Sequence, residues 1–351
     1  MLDLLRAVAR LFHKHIGWNR LGVVISLAII GVALYVLTHM LRDIDVNEVI
    51  RAVKATQWTH VGAAALFVAG AYFTLTFYDW FALRTIGRDK VPYRIAALAG
   101  FCSYSIGHNV GATVFTGGAV RYRIYSHYGL NAIEVAKICF VAGLTFWLGN
   151  ATVLGLGITL DPFAAGLITH MPPLPNRLIG VSLLIILVSY VVWVWVAPRE
   201  VGRGGWNVRL PNGPLTMVQI GIGIVDLGFC ALAMYMLVPT TPDFGFLTIA
   251  VVFVTATLLG FASHSPGGLG VFDAAMLVAL WQFNREELLA GLLLFRVLYY
   301  LVPFAIALTI LGAREIWLSM HGERQKLDLK AVTKVTGPLD SEILPEKRDA
   351  G

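Results

Sequence analysis

The sequence predicts an all-α polytopic membrane protein. Hydrophobic residues make up 57% of the 351 residues, charged residues make up 14%, and the mean hydropathy is +0.73. A soluble domain carries about 25% charged residues. The apolar residues fall into about eight segments, most of them near the ~20 residues that a membrane-spanning helix needs. Composition and segment length therefore agree on the class of protein.

The charge and the cysteines exclude several other classes. The net charge is +6, but the Lys and Arg residues lie between the apolar segments. That distribution is typical of membrane orientation and of attraction to anionic lipid headgroups, and we expect no nucleic-acid partner. Cys102, Cys139 and Cys230 lie inside apolar segments and share no motif. We expect them to be small packing residues rather than disulfides or metal ligands.

The chain begins with a basic segment followed by an uncharged one. Residues 1–20 carry four Lys and Arg residues and are predicted to lie on the cytoplasmic membrane surface. Residues 21–41 are uncharged and long enough to be a full span, which argues against a cleavable signal. Residues 42–60 are mixed in charge and predict an interfacial helix. Residues 61–83 predict the second span.

The third apolar segment, residues 95–115, is broken by polar residues and glycines. It leads into the pair Gly117 and Gly118 and then into a basic stretch. Asn131 is predicted to cap the next helix, which ends near Leu160 because Asp161 and a proline follow.

The second half repeats this outline. Full spans are predicted at 178–197, 215–238 and 288–312. Between the last two lie the shorter apolar segments 246–261 and 272–283, separated by a second glycine pair, Gly267 and Gly268.

The two glycine pairs stand at corresponding points of the two halves. Glycine weakens a helix interior, and irregular backbone at membrane depth is tolerated only where protein buries it or where it lines a wet cavity. Paired breaks of this kind point to a transporter-like substrate site. We predict turns at both, formed by Gly117, Gly118, Pro266, Gly267, Gly268 and Gly270.

Treating the two broken regions as re-entrant hairpins leaves about six full spans. The cytoplasmic side then receives most of the Lys and Arg residues, and both termini face the cytoplasm. Eight plain spans would turn the Arg121 loop outward. Each half has three spans and one hairpin, so the halves form an inverted repeat. The predicted domains are residues 1–20, a first repeat 21–160, a second repeat 161–312, and a charged, largely disordered cytoplasmic tail 313–351.

Two strings around the glycine pairs carry a family resemblance. They are TGGAVRYR (residues 116–123) and SPGGLGVFD (residues 265–273), of which the second is more specific. The chain resembles, over roughly residues 10–320, the transmembrane domain of the lysylphosphatidylglycerol synthase and flippase family (the multiple peptide resistance factor) and its stand-alone membrane relatives. The resemblance implies a multi-pass protein of the bacterial cytoplasmic (inner) membrane that is concerned with phospholipid translocation. Bifunctional members carry a soluble aminoacyl transferase domain after the membrane part. This chain ends at Gly351, so tRNA-dependent lipid synthesis is not expected of it.

Four ionisable residues inside apolar segments are candidate site residues. Asp79 lies near the end of the second span, and its alternative role is a carboxylate that reaches solvent. Asp226 is mid-span, where a charge costs about 2.5–3.5 kcal/mol, and is a candidate proton carrier, headgroup contact or partner of an arginine. Arg296 is also mid-span and is the natural partner of Asp226 or Asp273. Asp273 is also placed to cap a helix.

Arginines and histidines beside the glycine pairs are the other candidates. Arg121 and Arg123 follow the first glycine pair. Guanidinium groups bind phosphate through two hydrogen bonds, so both arginines are candidates to bind a lipid phosphate. Anchoring of the chain by positive charges on the cytoplasmic side explains the two arginines equally well. His108 and His264 precede the two pairs, where they would line a cavity or be satisfied core histidines. No further His, Cys or carboxylate residue lies at the spacing of metal ligands from either histidine, so we expect no metal site.

No nucleotide-binding, hydrolase or metalloprotease motif is present, and we expect no catalytic residue and no cofactor. Two functions remain. The first is a translocase of phospholipids with anionic or modified headgroups. The second is a membrane subunit that supports a lipid-modifying or glycan enzyme. A homo-oligomer or a separate lipid-synthesis enzyme is the expected protein partner.

Overall fold

A computed structural model describes residues 51, 54, 56–111, 113–203, 206–262, 266–314, 316 and 317. The predicted segments 1–20 and 21–41, most of 42–60, His264, and the tail beyond 317 lie outside the described residues. The chain divides into two compact units between Ala307 and Leu308. The candidate site described below lies in the first unit.

The first half of the described chain is helical. Its helices are α1 (Trp58–Thr85), α2 (Tyr93–Val110), α3 (Thr113–Tyr125), α4 (Ala132–Leu160) and α5 (Pro162–Thr169). Asn131 caps α4 as predicted, because its side chain accepts from the Glu134 amide while the Glu134 carboxylate accepts from the Asn131 amide. Asp161 ends α4 and caps α5, which begins with a proline.

The second half contains five further helices and one short β-hairpin. The helices are α6 (Pro173–Val196), α7 (Gly213–Tyr235), α8 (Phe246–Ala262), α9 (Val271–Ala279) and α10 (Arg285–Arg314). The loop after α6 forms antiparallel strands β1 (Glu200–Arg203) and β2 (Trp206–Arg209). A π-helical turn, Val297–Leu301, interrupts α10.

The fold class is confirmed as all-α and polytopic. Within the described residues, α1, α4, α6, α7 and α10 are long and apolar enough to cross a membrane. They coincide with five of the predicted spans, and the remaining predicted span, residues 21–41, is outside the described part. The helices α2 with α3, and α8 with α9, form the two broken hairpins between these spans.

The first hairpin breaks at a different place from the one predicted. Gly117 and Gly118 lie inside α3, and the chain turns instead at Gly111, whose φ is +82°. A Cβ atom on Gly117 would lie 3.2 Å from the Ser103 carbonyl oxygen of α2. The glycine is therefore a small residue that lets two helices pack closely, and the prediction of a turn at this pair is wrong.

The described helices differ strongly in how much of their surface is buried. Helix α7 packs against α1 and α4, and a Cβ on Gly149 of α4 would lie only 2.7 Å from Cα of Gly223 in α7. Such close backbone contact is typical of helix pairs in membranes. By contrast, only 17% of the most apolar stretch of α6 is buried, against 56% for α4. Helix α6 therefore presents most of its surface to the surroundings.

Candidate functional site

The tips of the two broken hairpins meet inside the first unit. A Cβ on Gly111 would lie 3.3 Å from Cα of Pro266, and one on Gly267 would lie 3.6 Å from the carbonyl oxygen of His108. Gly267, Gly268 and Gly270 have φ values of +59°, +63° and +78°, which only glycine adopts readily. The second glycine pair thus forms the irregular backbone expected of it. We call this contact between residues 107–111 and 266–270 the tip junction.

The first hairpin is fastened by a buried ion pair between Arg121 of α3 and Asp79 of α1. The Arg121 Nη2 and Nε atoms donate to the carboxylate at 2.7 and 3.0 Å, and the Tyr125 hydroxyl donates to it at 2.8 Å. Arg121 is 3% exposed and Asp79 is fully buried. Asp79 therefore does not reach solvent, and Arg121 binds a carboxylate in the described conformation.

The second hairpin is fastened by a pair of the opposite polarity. Here the acid, Asp273, lies on the hairpin arm α9, and the base, Arg296, lies on the span α10. Arg296 donates through Nε and Nη2 to the Asp273 carboxylate and through Nη1 to the Gly267 carbonyl at 3.2 Å. The Gly270 amide also donates to Asp273 at 3.1 Å, so this residue caps α9 as predicted. Each hairpin is thus held to a span by one carboxylate–guanidinium pair. The acid lies on the span in the first pair and on the hairpin arm in the second.

Asp226 is a second buried carboxylate, and its surroundings differ from those of Asp79 and of the partly exposed Asp273. It lies on α7 and is 4% exposed. The Tyr78 hydroxyl donates to its Oδ2 atom at 3.0 Å, whereas Oδ1 is buried and has no hydrogen-bond partner among the described residues. Arg296, one of the partners considered for it, pairs with Asp273 instead.

A row of aromatic rings joins Asp226 to the tip junction. The ring of Tyr78 lies 5.8 Å from that of Tyr104, which lies 5.6 Å from His108. His108 in turn stacks on Tyr299 at 6.0 Å. Arg121 sits over the face of Tyr104 at 4.8 Å, so the row also touches the first ion pair.

Polar atoms without partners concentrate along α2 beside this row. Within the described residues, His108 Nδ1, Asn109 Oδ1 and the hydroxyls of Ser103 and Ser105 are buried without a hydrogen bond. Buried polar groups are normally paired, so a group of unpaired atoms in one region makes that region a candidate binding site. Tyr299 lies in the π-helical turn of α10, and such turns often occur at functional sites. This polar interior next to the tip junction is the candidate site.

The structure groups most of the residues singled out by the sequence. His108 lies in the tip junction, and the two fastening pairs consist of Asp79 with Arg121 and Asp273 with Arg296. Asp226 is connected to the junction through the row of aromatic rings. Arg123 is exposed at the end of α3 and lies apart from them. Among the described residues, no three metal-binding side chains come together.

Sequence reasoning missed the tyrosines and the true break of the first hairpin. Tyr78, Tyr104, Tyr125 and Tyr299 are apolar in pattern and resemble ordinary core residues. Gly111 is one of the glycines that interrupt the third apolar segment. Its position between two apolar stretches was the sequence feature that could have indicated the turn.

Comparison with known proteins places this architecture among bacterial membrane proteins. No family model matches the chain. An uncharacterized protein of Synechocystis sp. is 29% identical over 88% of this chain and 98% of its own length. The inner membrane protein YbhN of Escherichia coli is 24% identical over 90% of this chain and 98% of its own length.

A second group of relatives consists of longer proteins. The phosphatidylglycerol lysyltransferase of Staphylococcus haemolyticus is 26% identical over 78% of this chain, which spans only 32% of that protein's length. The match and the apolar helices agree with the membrane part of that enzyme. The chain is therefore a homologue of the inner membrane protein YbhN and of the transmembrane region of the phosphatidylglycerol lysyltransferases.

Proposed function

We propose that this protein moves phospholipids from one leaflet of the bacterial cytoplasmic membrane to the other. A headgroup crosses the bilayer interior only slowly unaided, because each of its polar groups that lacks hydrogen bonds there costs roughly 2–7 kcal/mol. A protein that carries headgroups must offer polar groups at membrane depth. The observation that carries the proposal is the meeting of two broken hairpins over a buried, partly unpaired polar interior.

The arrangement of the hairpins also supports a protein that alternates between two conformations. Each hairpin is fastened to a neighbouring span by one carboxylate–guanidinium pair, and glycines with positive φ connect its arms. In transporters built from inverted repeats, one repeat moves against the other around a fixed site. Movement of the two hairpin tips apart would expose His108 and Asn109 to a headgroup.

The names of the relatives support one class of substrate. Phosphatidylglycerol lysyltransferases are named for an anionic phospholipid and its lysyl derivative, and this chain is similar to a third of such a protein. We therefore expect anionic or modified phospholipids to be the cargo. In the described conformation Arg121 is occupied by Asp79, so phosphate binding by Arg121 requires that pair to open.

One observation favours a second function. In the lysyltransferases the matched region is one part of a longer polypeptide. A membrane region of this kind can therefore be joined to other parts of a lipid-modifying enzyme. A membrane subunit that supports a separate lipid-modifying enzyme, or a homo-oligomeric scaffold, would keep the same fold. Such a subunit would move no lipid when purified alone.

The test is lipid movement by the purified protein in liposomes. Phosphatidylglycerol with a fluorescent acyl chain is incorporated in both leaflets, and a membrane-impermeant reductant bleaches the outer one. Protein-free liposomes keep the inner-leaflet signal. We expect the wild-type protein to bring inner-leaflet lipid out to the reductant, so that nearly all of the signal is lost.

A pair of glycine variants links the activity to the tip junction. Gly267→Val places a β-branched side chain at a positive φ and against His108 and Tyr300, and it should abolish lipid movement. Gly221→Val is the control, because nothing lies within 4 Å of a Cβ at that position of α7. A folded wild-type protein that moves no lipid would exclude the translocase and favour the subunit.

A further inference from the structure

The carboxylate of Asp226 is buried without a positive partner. Asp79 and Asp273, the other two carboxylates of the site, each bind an arginine. Asp226 receives one hydrogen bond from Tyr78, and its Oδ1 atom receives none from the described residues. It is therefore the carboxylate of this site that the described structure leaves incompletely satisfied.

The titratable groups that face Asp226 are neutral in their ordinary form. They are Tyr72 and Tyr78 of α1, Tyr104 of α2, Cys230 on the same helix and Tyr299 of the π-helical turn. Helix α8, which also packs on α7, contains no titratable side chain. The protein thus supplies phenols and a thiol around this carboxylate but no described cation.

Burial without a cation favours the neutral form of a carboxylic acid over the charged form. A hydronium ion transfers a proton to one carboxylate oxygen, so that one of its O–H bonds breaks as the new O–H bond forms and a water molecule remains. The reverse transfer to water breaks the new bond and regenerates the carboxylate and hydronium. We propose that Asp226 takes up a proton when the interior opens to one side of the membrane and releases it to the other side. This inference rests on the proposed function and names its energy source, a proton gradient.

The position of Asp226 supports coupling to the moving parts. Its hydrogen-bond donor Tyr78 is in ring contact with Tyr104, and Tyr104 contacts both His108 at the tip junction and Arg121 of the first fastening pair. A change in the charge of Asp226 therefore acts within two contacts of the first hairpin and within three contacts of the tip junction. Protonation of Asp226 would therefore change the balance between the two conformations of the hairpins, and a change of conformation would change the proton affinity of Asp226.

The test uses the liposome assay with different pH values inside and outside. We expect the distribution of labelled phosphatidylglycerol between the leaflets to shift in opposite directions for inside-acid and inside-alkaline liposomes. With one proton per lipid and one pH unit, the limit is about a tenfold leaflet ratio. Asp226→Asn, which keeps the shape but cannot take up a proton, should lose this response. Asp226→Glu should retain a response, and Asp243→Asn, at an exposed loop position, should behave as wild type.

Infrared titration of the purified protein supplies a readout that does not depend on transport. We expect a carboxylic-acid C=O band that changes with pH in the wild type and is missing from folded Asp226→Asn. Lipid movement that ignores the pH gradient would overturn this inference and leave the proposed function standing. The inference would also be overturned if lipid movement by Asp226→Asn still responded to the pH gradient, or if this variant kept the carboxylic-acid C=O band of the wild type. A folded wild-type protein that moves no lipid would overturn both.

Discussion

The ion pair between Asp79 and Arg121 should be the strongest single polar support of the first hairpin. Three nitrogen–oxygen contacts of 2.7–3.0 Å join the two side chains, and neither is more than 3% exposed. Arg121→Met would leave Asp79 buried without a cation, with the Tyr125 hydroxyl as its remaining described donor. Removing one partner of a buried pair costs about 3–5 kcal/mol. We expect a loss of that size in the free energy of unfolding.

Removing both charges should be less harmful than removing one. Replacing a buried pair by apolar residues is often close to neutral, because no charge is left without a partner. The double variant Asp79→Leu with Arg121→Met should therefore recover most of the stability lost in Arg121→Met alone. The difference from additivity, measured as a double-mutant cycle, gives the coupling between the two residues.

Unfolding by sodium dodecyl sulfate in mixed micelles, followed by circular dichroism, measures these changes. The exposed pair Arg84 and Asp89 is the matched control, since its atoms are 3.5 Å apart and its side chains are 53% and 64% exposed. Arg84→Met should cost less than about 1 kcal/mol. A buried, coupled ion pair would be contradicted if Arg121→Met lowered the free energy of unfolding no more than Arg84→Met does. It would also be contradicted if the double variant were as unstable as the sum of its single changes.

Glycine substitutions test the packing and the turns separately. Gly149→Ala should lower the stability, because its new Cβ would lie 2.7 Å from the backbone of α7. Gly143→Ala is the control and should not lower it, because nothing lies within 4 Å of a Cβ at that position. Thermal unfolding in detergent compares the two variants. Gly268→Ala should reduce lipid movement because its φ is +63°, whereas Gly118→Ala, inside α3 and 3.6 Å from a cysteine sulfur, should be tolerated. Equal tolerance within either pair would contradict the corresponding assignment.

The general architecture was predictable because it depends on local patterns. Apolar segments of membrane length gave the spans, and Asn131 and Asp161 marked helix ends that the structure contains. The string around Gly267 combined proline with closely spaced glycines, and the backbone there is irregular for that reason.

The pairing of charges was not predictable from local patterns. Asp79 and Arg121 are separated by 42 positions, and no rule of spacing joins residues on different helices. The same holds for Arg296, whose choice of Asp273 over Asp226 depends on how α9 packs near α10. Gly117 was misassigned because a glycine pair serves equally well for a turn and for close packing of helices, and only the tertiary structure distinguishes them.

Lipid movement should require the polar interior to open, and the reactivity of Cys230 reports on that opening. Cys230 is 4% exposed and lies one turn from Asp226 on α7. In a protein with Cys102→Ala and Cys139→Ala, a charged, membrane-impermeant methanethiosulfonate is added to liposomes while lipid translocation is followed. We predict that Cys230 is modified during translocation, more slowly in the Gly267→Val variant, and that modification stops lipid movement. Full lipid movement while Cys230 stays unmodified would contradict a route through this interior.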